Sequence, residues 1–252
     1  MPQEHSTKNT ASLTLTRIDN APKVSEEIVQ KFEKNIELKL PADYRQFLLD
    51  YNGAFPSPDC FIFSEAGHET ASDVFCFLAI ADERPWLSTE WNMETYSHRL
   101  PKSTIPIARD SSANLWLLQI TESSAGGVYF WDPGSYDTFD ESALENWPKV
   151  ADSFQDFQNQ IRSGDGIHNS GPVLTRYALV KQAGEGMAIT DKGFTTRANP
   201  EFVWHCDCDA DGQVSMQFIK YDIHAATTHT CGYSRLRAIN GLIKEGKTRL
   251  PN

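Results

Sequence analysis

Apolar residues recur at helical spacing early in the chain. Ile28, Val29, Phe32 and Ile36 follow Ser25, a residue type suited to an N-cap, and Glu26 and Glu27, which complement the positive end of a helix dipole. This pattern predicts a helix over 25–36. A second is expected from Pro41, whose missing N–H would be unpaired at a helix start anyway. Its stripe is Tyr44, Phe47, Leu48 and Tyr51, and Gly53 supplies a left-handed stop. The pattern then becomes short and strand-like: Cys60–Phe63, Thr104–Ala108, Leu115–Ile120 and Val128–Trp131. The turn Asp110-Ser111-Ser112-Ala113-Asn114 carries side chains that bond their own backbone. Val150, Phe154, Phe157 and Ile161 predict a helix opened by Pro148. Helices at both ends with strands between them imply an α+β domain.

The stretch 163–172, Ser-Gly-Asp-Gly-Ile-His-Asn-Ser-Gly-Pro, is rich in turn residues and reads as a boundary. Beyond it come strand-like runs at Val173–Val180, Phe202–Cys208 and Val214–Tyr221, with a hairpin turn at Asp209–Gly212. A basic helix over 234–244 would bury Leu236, Ile239, Leu242 and Ile243. The expected organisation is a flexible tail over 1–19, an α+β domain over 20–165, a linker over 166–172 and a smaller α+β domain over 173–252.

Charge sharpens this division. The chain of 252 residues has a formal net charge of −11. Residues 1–165 hold 13 basic and 26 acidic side chains, a net of −13, whereas 166–252 hold 10 and 8, a net of +2. Such acidity argues against nucleic acid or an anionic membrane as partner, since both would repel it. No apolar run approaches the roughly 20 residues of a membrane span, and the polar N-terminus lacks a secretory h-region. Five cysteines fit reduced thiols, so a cytoplasmic location is expected.

The run Leu40-Pro41-Ala42-Asp43-Tyr44-Arg45-Gln46-Phe47-Leu48, ending in Asn52-Gly53, resembles the signature of the SUKH superfamily. That superfamily contains fungal cell-wall-synthesis regulators and many bacterial immunity proteins. Two further matches lie downstream: Ile105-Pro106-Ile107-Ala108-Arg109-Asp110 with Asn114 and Leu115, then Gly127-Val128-Tyr129-Phe130-Trp131-Asp132. Ile28, Val29, Phe32 and Glu33 fit the first helix. The likeness covers about residues 20–162. It departs at Ser112-Ala113, where the family usually has glycine. It implies a central sheet with flanking helices, no catalytic activity, and binding of a cognate toxin encoded nearby, often a nuclease or another enzyme acting in the cytosol. The motif residues Tyr44, Phe47, Ile105, Ile107, Phe130 and Trp131 read as core.

Three constellations bear on chemistry. The acidic residues Asp73, Asp82, Glu83, Glu90, Glu94, Asp137, Asp140 and Glu141 are the candidates for a negative surface that meets a basic toxin; the plainer reading is a solvated face. Cys206, Cys208, His229 and Cys231 form two pairs at strand spacing that could hold a structural zinc, with His205 or His224 as substitutes; buried free cysteines are the plainer reading. Asp207 to Gly212 imitates the start of a calcium loop, but its twelfth position is Phe218 and strands flank it. Nucleophile-elbow, phosphate-loop and dinucleotide motifs are missing. The resulting expectation is an immunity protein that occludes its toxin's active site, without a required cofactor. The alternatives are a regulatory scaffold and a metal or thiol enzyme in the C-terminal domain.

Overall fold

The computed structural model describes residues 12–65, 67–120, 126–133, 141–164, 200–208 and 214–226. Its centre is a seven-stranded sheet in the order β1 (Thr14–Arg17), β2 (Ala54–Ser57), β5 (Cys76–Phe77), β6 (Thr104–Arg109), β7 (Leu115–Gln119), β8 (Val128–Trp131) and β9 (Lys149–Ala151). Every neighbouring pair is antiparallel. Strands β3 (Cys60–Glu65) and β4 (His68–Asp73) form a separate hairpin, as do β10 (Phe202–Cys208) and β11 (Val214–Lys220). The α+β expectation holds.

Strand alternation gives the sheet two apolar faces. Ile105, Ile107, Trp116, Leu118, Val128 and Phe130 point into the main core with Phe61 and Phe63 of β3. Helices α1 (Glu26–Ile36), α2 (Ala42–Asp50) and α4 (Phe154–Gln160) close that side through Val29, Phe32, Tyr44, Phe47, Leu48, Phe154 and Phe157. Tyr44 and Phe154 meet edge to face at 5.0 Å, and Phe61 stacks on Phe157 at 4.9 Å. The other face presents Leu115, Leu117 and Trp131, covered by Tyr96, Leu100, Leu144 and Trp147. Helix α3 (Thr89–Thr95) and the short α5 (Tyr221–Ala226) also lie on this side, and Ala225 packs against both of its clusters.

The Asn-Gly at the end of α2 has a physical explanation. Asn52 has φ of 45°, and its amide imitates a peptide: Oδ1 accepts from Ile80 N, while Nδ2 donates to Ile80 O and Pro22 O. Gly53 follows at φ +100°, and a Cβ there would stand 3.2 Å from the Ala79 Cβ. Buried Glu33 ties α1 to α2, accepting from Leu40 N and pairing with Lys39 and Arg45.

Two expectations change, and the turn after Asp110 keeps its expected side-chain-to-backbone bonds without glycine. The presumed tail is ordered from β1 onward, because Leu13 and Leu15 pack on the core while β1 pairs with β2. The helix expected from Pro148 is divided: Val150 belongs to β9, which pairs with β8, and Ser153 Oγ then caps α4 by accepting from Asp156 N. In the Asp110 turn, Ala113 occupies the position that glycine favours, at φ 68°. Asp110 Oδ1 holds the turn by accepting from Ser112 N and Asn114 N. The run Val173–Val180, the linker 166–172, the turn 209–212 and the helix 234–244 lie outside the described residues.

Candidate functional site

Strand β6 carries Arg109 at its end, wholly buried among aromatic rings. The guanidinium donates to three carbonyls: Nε to Trp86 at 2.9 Å, Nη1 to Asp110 at 3.1 Å and Nη2 to Pro200 at 2.6 Å. It also lies over the rings of Phe75 at 4.3 Å and Tyr221 at 4.9 Å. A charge this deeply desolvated is tolerated only with such partners. Two buried carboxylates follow in the same interior, Asp110 next in the chain and Asp73 at the end of β4. Asp110 accepts from Ser72 Oγ and Asn114 Nδ2, and Asp73 accepts from the hydroxyl and N–H of Ser111. Burial, with Asp110 as a like charge next, pushes the Asp73 pKa up to about 7; burial likewise raises that of Asp110.

This buried network anchors the C-terminal hairpin. Besides the Arg109–Pro200 bond, Trp204 N donates to Ser111 O at 2.9 Å; within the docked segment, Tyr221 N donates to Glu201 O at 2.8 Å. The Tyr221 hydroxyl bonds Asn92 Oδ1 in α3, and Val203 and Tyr221 share a core cluster with Phe75, Leu78 and Trp86. The described residues of 200–208 and 214–226 therefore pack on the first α+β unit through Pro200, Val203, Trp204 and Tyr221.

Docking sets Tyr221 of α5 against α3, and the exposed side chains of these two helices are the candidate face. Half-buried Trp91 of α3 packs on Tyr221 with ring centroids 5.7 Å apart. Ile223 of α5 is 58% exposed, the one large hydrophobic side chain so exposed among the described residues. Glu94 lies three residues after Trp91, on the same helix face, and is exposed; so are Glu83 and Asp222. An exposed isoleucine on one helix, with exposed carboxylates on the same helix and on the one it docks against, is a composition suited to protein binding. A concavity of about 970 Å³ lies between β1, α2 and α4, lined mainly by polar side chains such as Gln46, Asp50, Gln155 and Gln158.

The acidic candidates from sequence separate here. Glu83 and Glu94 are exposed as expected. Asp73 is buried in the Ser111 network, so it is not part of a surface. Asp82 has its carboxylate 4% exposed and paired with Arg84 at 2.6 Å, which removes most of its field. Glu90 is half-buried, accepts from Ala81 N, and has its pKa raised chiefly by burial. Asp137 and Asp140 lie outside the described residues. Glu141 opens a 3-10 helix (Glu141–Asn146), with its side chain outside them. Of the zinc candidates, Cys206 and Cys208 fall on β10 with their side chains outside the description, and His229 and Cys231 lie outside it altogether. Among the described residues no group of three or more His, Cys, Asp or Glu could hold a metal.

Sequence reasoning missed Arg109, Trp91, Tyr221, Asp222 and Ile223. The available signal was an arginine closing an otherwise apolar strand and followed at once by aspartate; nothing local marked α5.

Comparison with known proteins agrees with this architecture. The model of the SMI1 / KNR4 family (SUKH-1) matches residues 23–160, more than half of the chain. Members of that family are commonly immunity proteins and generally non-enzymatic. A similar protein is the SPbeta prophage-derived uncharacterized protein YokK of Bacillus subtilis (strain 168), 26% identical over 126 residues. The match covers 42% of this chain and 60% of that protein. No helix among the described residues is long and apolar enough to cross a membrane.

Proposed function

Because the chain belongs to the SMI1/KNR4 (SUKH-1) family, we propose that it is an immunity protein that binds and neutralises a cognate toxin. Toxin and immunity protein are encoded side by side, and the toxin is a basic protein acting in the cytoplasm. Neutralisation works by occlusion: the α3–α5 face seats over the toxin's active site or over its approach for substrate. No catalytic step by this chain is required.

The support for the proposal is Ile223, 58% exposed on α5, together with exposed Glu83 before α3, Glu94 on α3 and Asp222 on α5, a helix that Tyr221 fixes against half-buried Trp91. The exposed isoleucine supplies desolvation energy on contact, and the exposed carboxylates steer a basic partner and disfavour an acidic one. The buried Arg109 network beneath keeps the face rigid, which lowers the entropy lost on binding.

The proposal is tested by co-expressing the chain with the product of the adjacent gene. Immunity requires a complex that survives purification and growth of cells that the toxin alone would kill. Neither a complex nor protection would end this reading.

A further inference from the structure

We propose that His205 and His224 form a transition-metal site that clamps α5 onto the β10–β11 hairpin. His205 lies on β10 opposite Gln217 of β11, and His224 lies on α5, where it is 8% exposed. The two imidazoles converge from separate elements, with His205 Nδ1 3.3 Å from His224 Nε2 and ring planes inclined at 64°.

That separation suits a shared ion. Zinc binds imidazole nitrogen at about 2.0–2.1 Å, and two corners of a tetrahedron of that radius stand about 3.3–3.4 Å apart. Imidazole is also a preferred ligand for cobalt, nickel and copper, so the site takes a divalent late transition metal rather than calcium or magnesium. Both rings must be neutral to ligate, and loading releases any protons they hold.

The sequence around the pair is also enriched in suitable side chains. Residues 205–231 hold three of the seven histidines and three of the five cysteines. No third ligand stands with the pair among the described residues, so two nitrogens from the protein and water in the remaining positions are the minimum site. The consequence is mechanical. The ion joins hairpin to helix, and that helix carries Ile223, so metal holds the α3–α5 face in place. The site is measured on the isolated chain, so its failure is distinct from failure of the toxin-binding reading.

The test uses the purified full chain, stripped with a chelator and titrated with cobalt(II), then with zinc(II) as competitor. The expected result is saturable binding of one equivalent, a visible d–d absorption, and no near-ultraviolet thiolate band. His205→Ala and His224→Ala should each weaken binding by at least about tenfold, while His98→Ala should not. If an alanine variant loses its circular-dichroism spectrum, His224→Gln replaces it. No saturable binding at millimolar metal would overturn the proposal, leaving a simple N–H···N hydrogen bond. Binding that survives both histidine substitutions, or a strong thiolate band, would overturn it too by placing the ion elsewhere.

Discussion

Replacing Asp73 by asparagine should make the protein more stable at neutral pH and flatten its stability profile. Asp73 is fully enclosed beside a second carboxylate, Asp110, and its pKa is pushed up to about 7 from an ordinary value of 3.8. Between these values the folded chain retains a proton that the unfolded chain has already lost. Stability from this group is therefore complete below about pH 4 and falls as pH rises toward 7. A shift of about three units at 1.36 kcal/mol each corresponds to a loss on the order of 4 kcal/mol across that window. Asparagine has no proton to lose, and its amide can still accept from Ser111 N and donate to Ser111 Oγ.

The assay is urea denaturation of wild type and Asp73→Asn at half-unit steps from pH 4 to 8.5. Other carboxylates titrate in the same range, so the difference between the two profiles is the informative quantity. It should start near zero or favour wild type at pH 4, then move toward the variant by several kcal/mol at pH 8. A difference that stays constant with pH would refute the reasoning, because Asp73 would then be ionised throughout. A difference that moves toward wild type would mean that its carboxylate is stabilised rather than strained.

Asn52→Ala should cost about 2–4 kcal/mol in the same denaturation, since it strands both the N–H and the carbonyl of Ile80 in the interior. Tyr221→Phe removes only the bond to Asn92 and should cost about 1–2 kcal/mol; hydrogen exchange should quicken in α5 while β6 and β7 remain protected. If the exposed carboxylates steer the toxin, the association rate measured by stopped flow should fall markedly between about 50 and 500 mM salt, with dissociation changing less. A salt-independent rate would reduce the surplus negative charge to an aid to solubility.

The first α+β unit was largely legible because its motif residues are also its core. Tyr44, Phe47, Ile107 and Phe130 sit where period and resemblance placed them, and the stop at Asn52-Gly53 proved to be an exchange of hydrogen bonds with Ile80. Of the missed strands β1, β2, β4, β5 and β9, two are too short to show any period. Strand β5 has two residues and β9 has three, so pairing with neighbours rather than local propensity makes them strands. The candidate face was less legible. Charge counts treat Asp73, Asp82 and Glu94 alike, but burial and the Arg84 pair leave only Glu94 free to act on a partner. Ile223 acquires its meaning from Tyr221, which fixes α5 against a helix about 130 residues earlier in sequence, a contact that no local window contains.

The most direct test of the account is the affinity of the purified chain for the toxin encoded beside it, measured for wild type, Ile223→Asp and Glu94→Lys. All three should melt within about 1–2 °C of one another, since both side chains are exposed. Ile223→Asp is expected to weaken the complex at least tenfold, consistent with loss of a hot-spot contact, and Glu94→Lys chiefly to slow association. Gln158→Lys, in the groove beside β1, should leave affinity unchanged. Full affinity in the first two variants with loss in the third would contradict the assigned face, and no binding by the wild type would contradict the function itself.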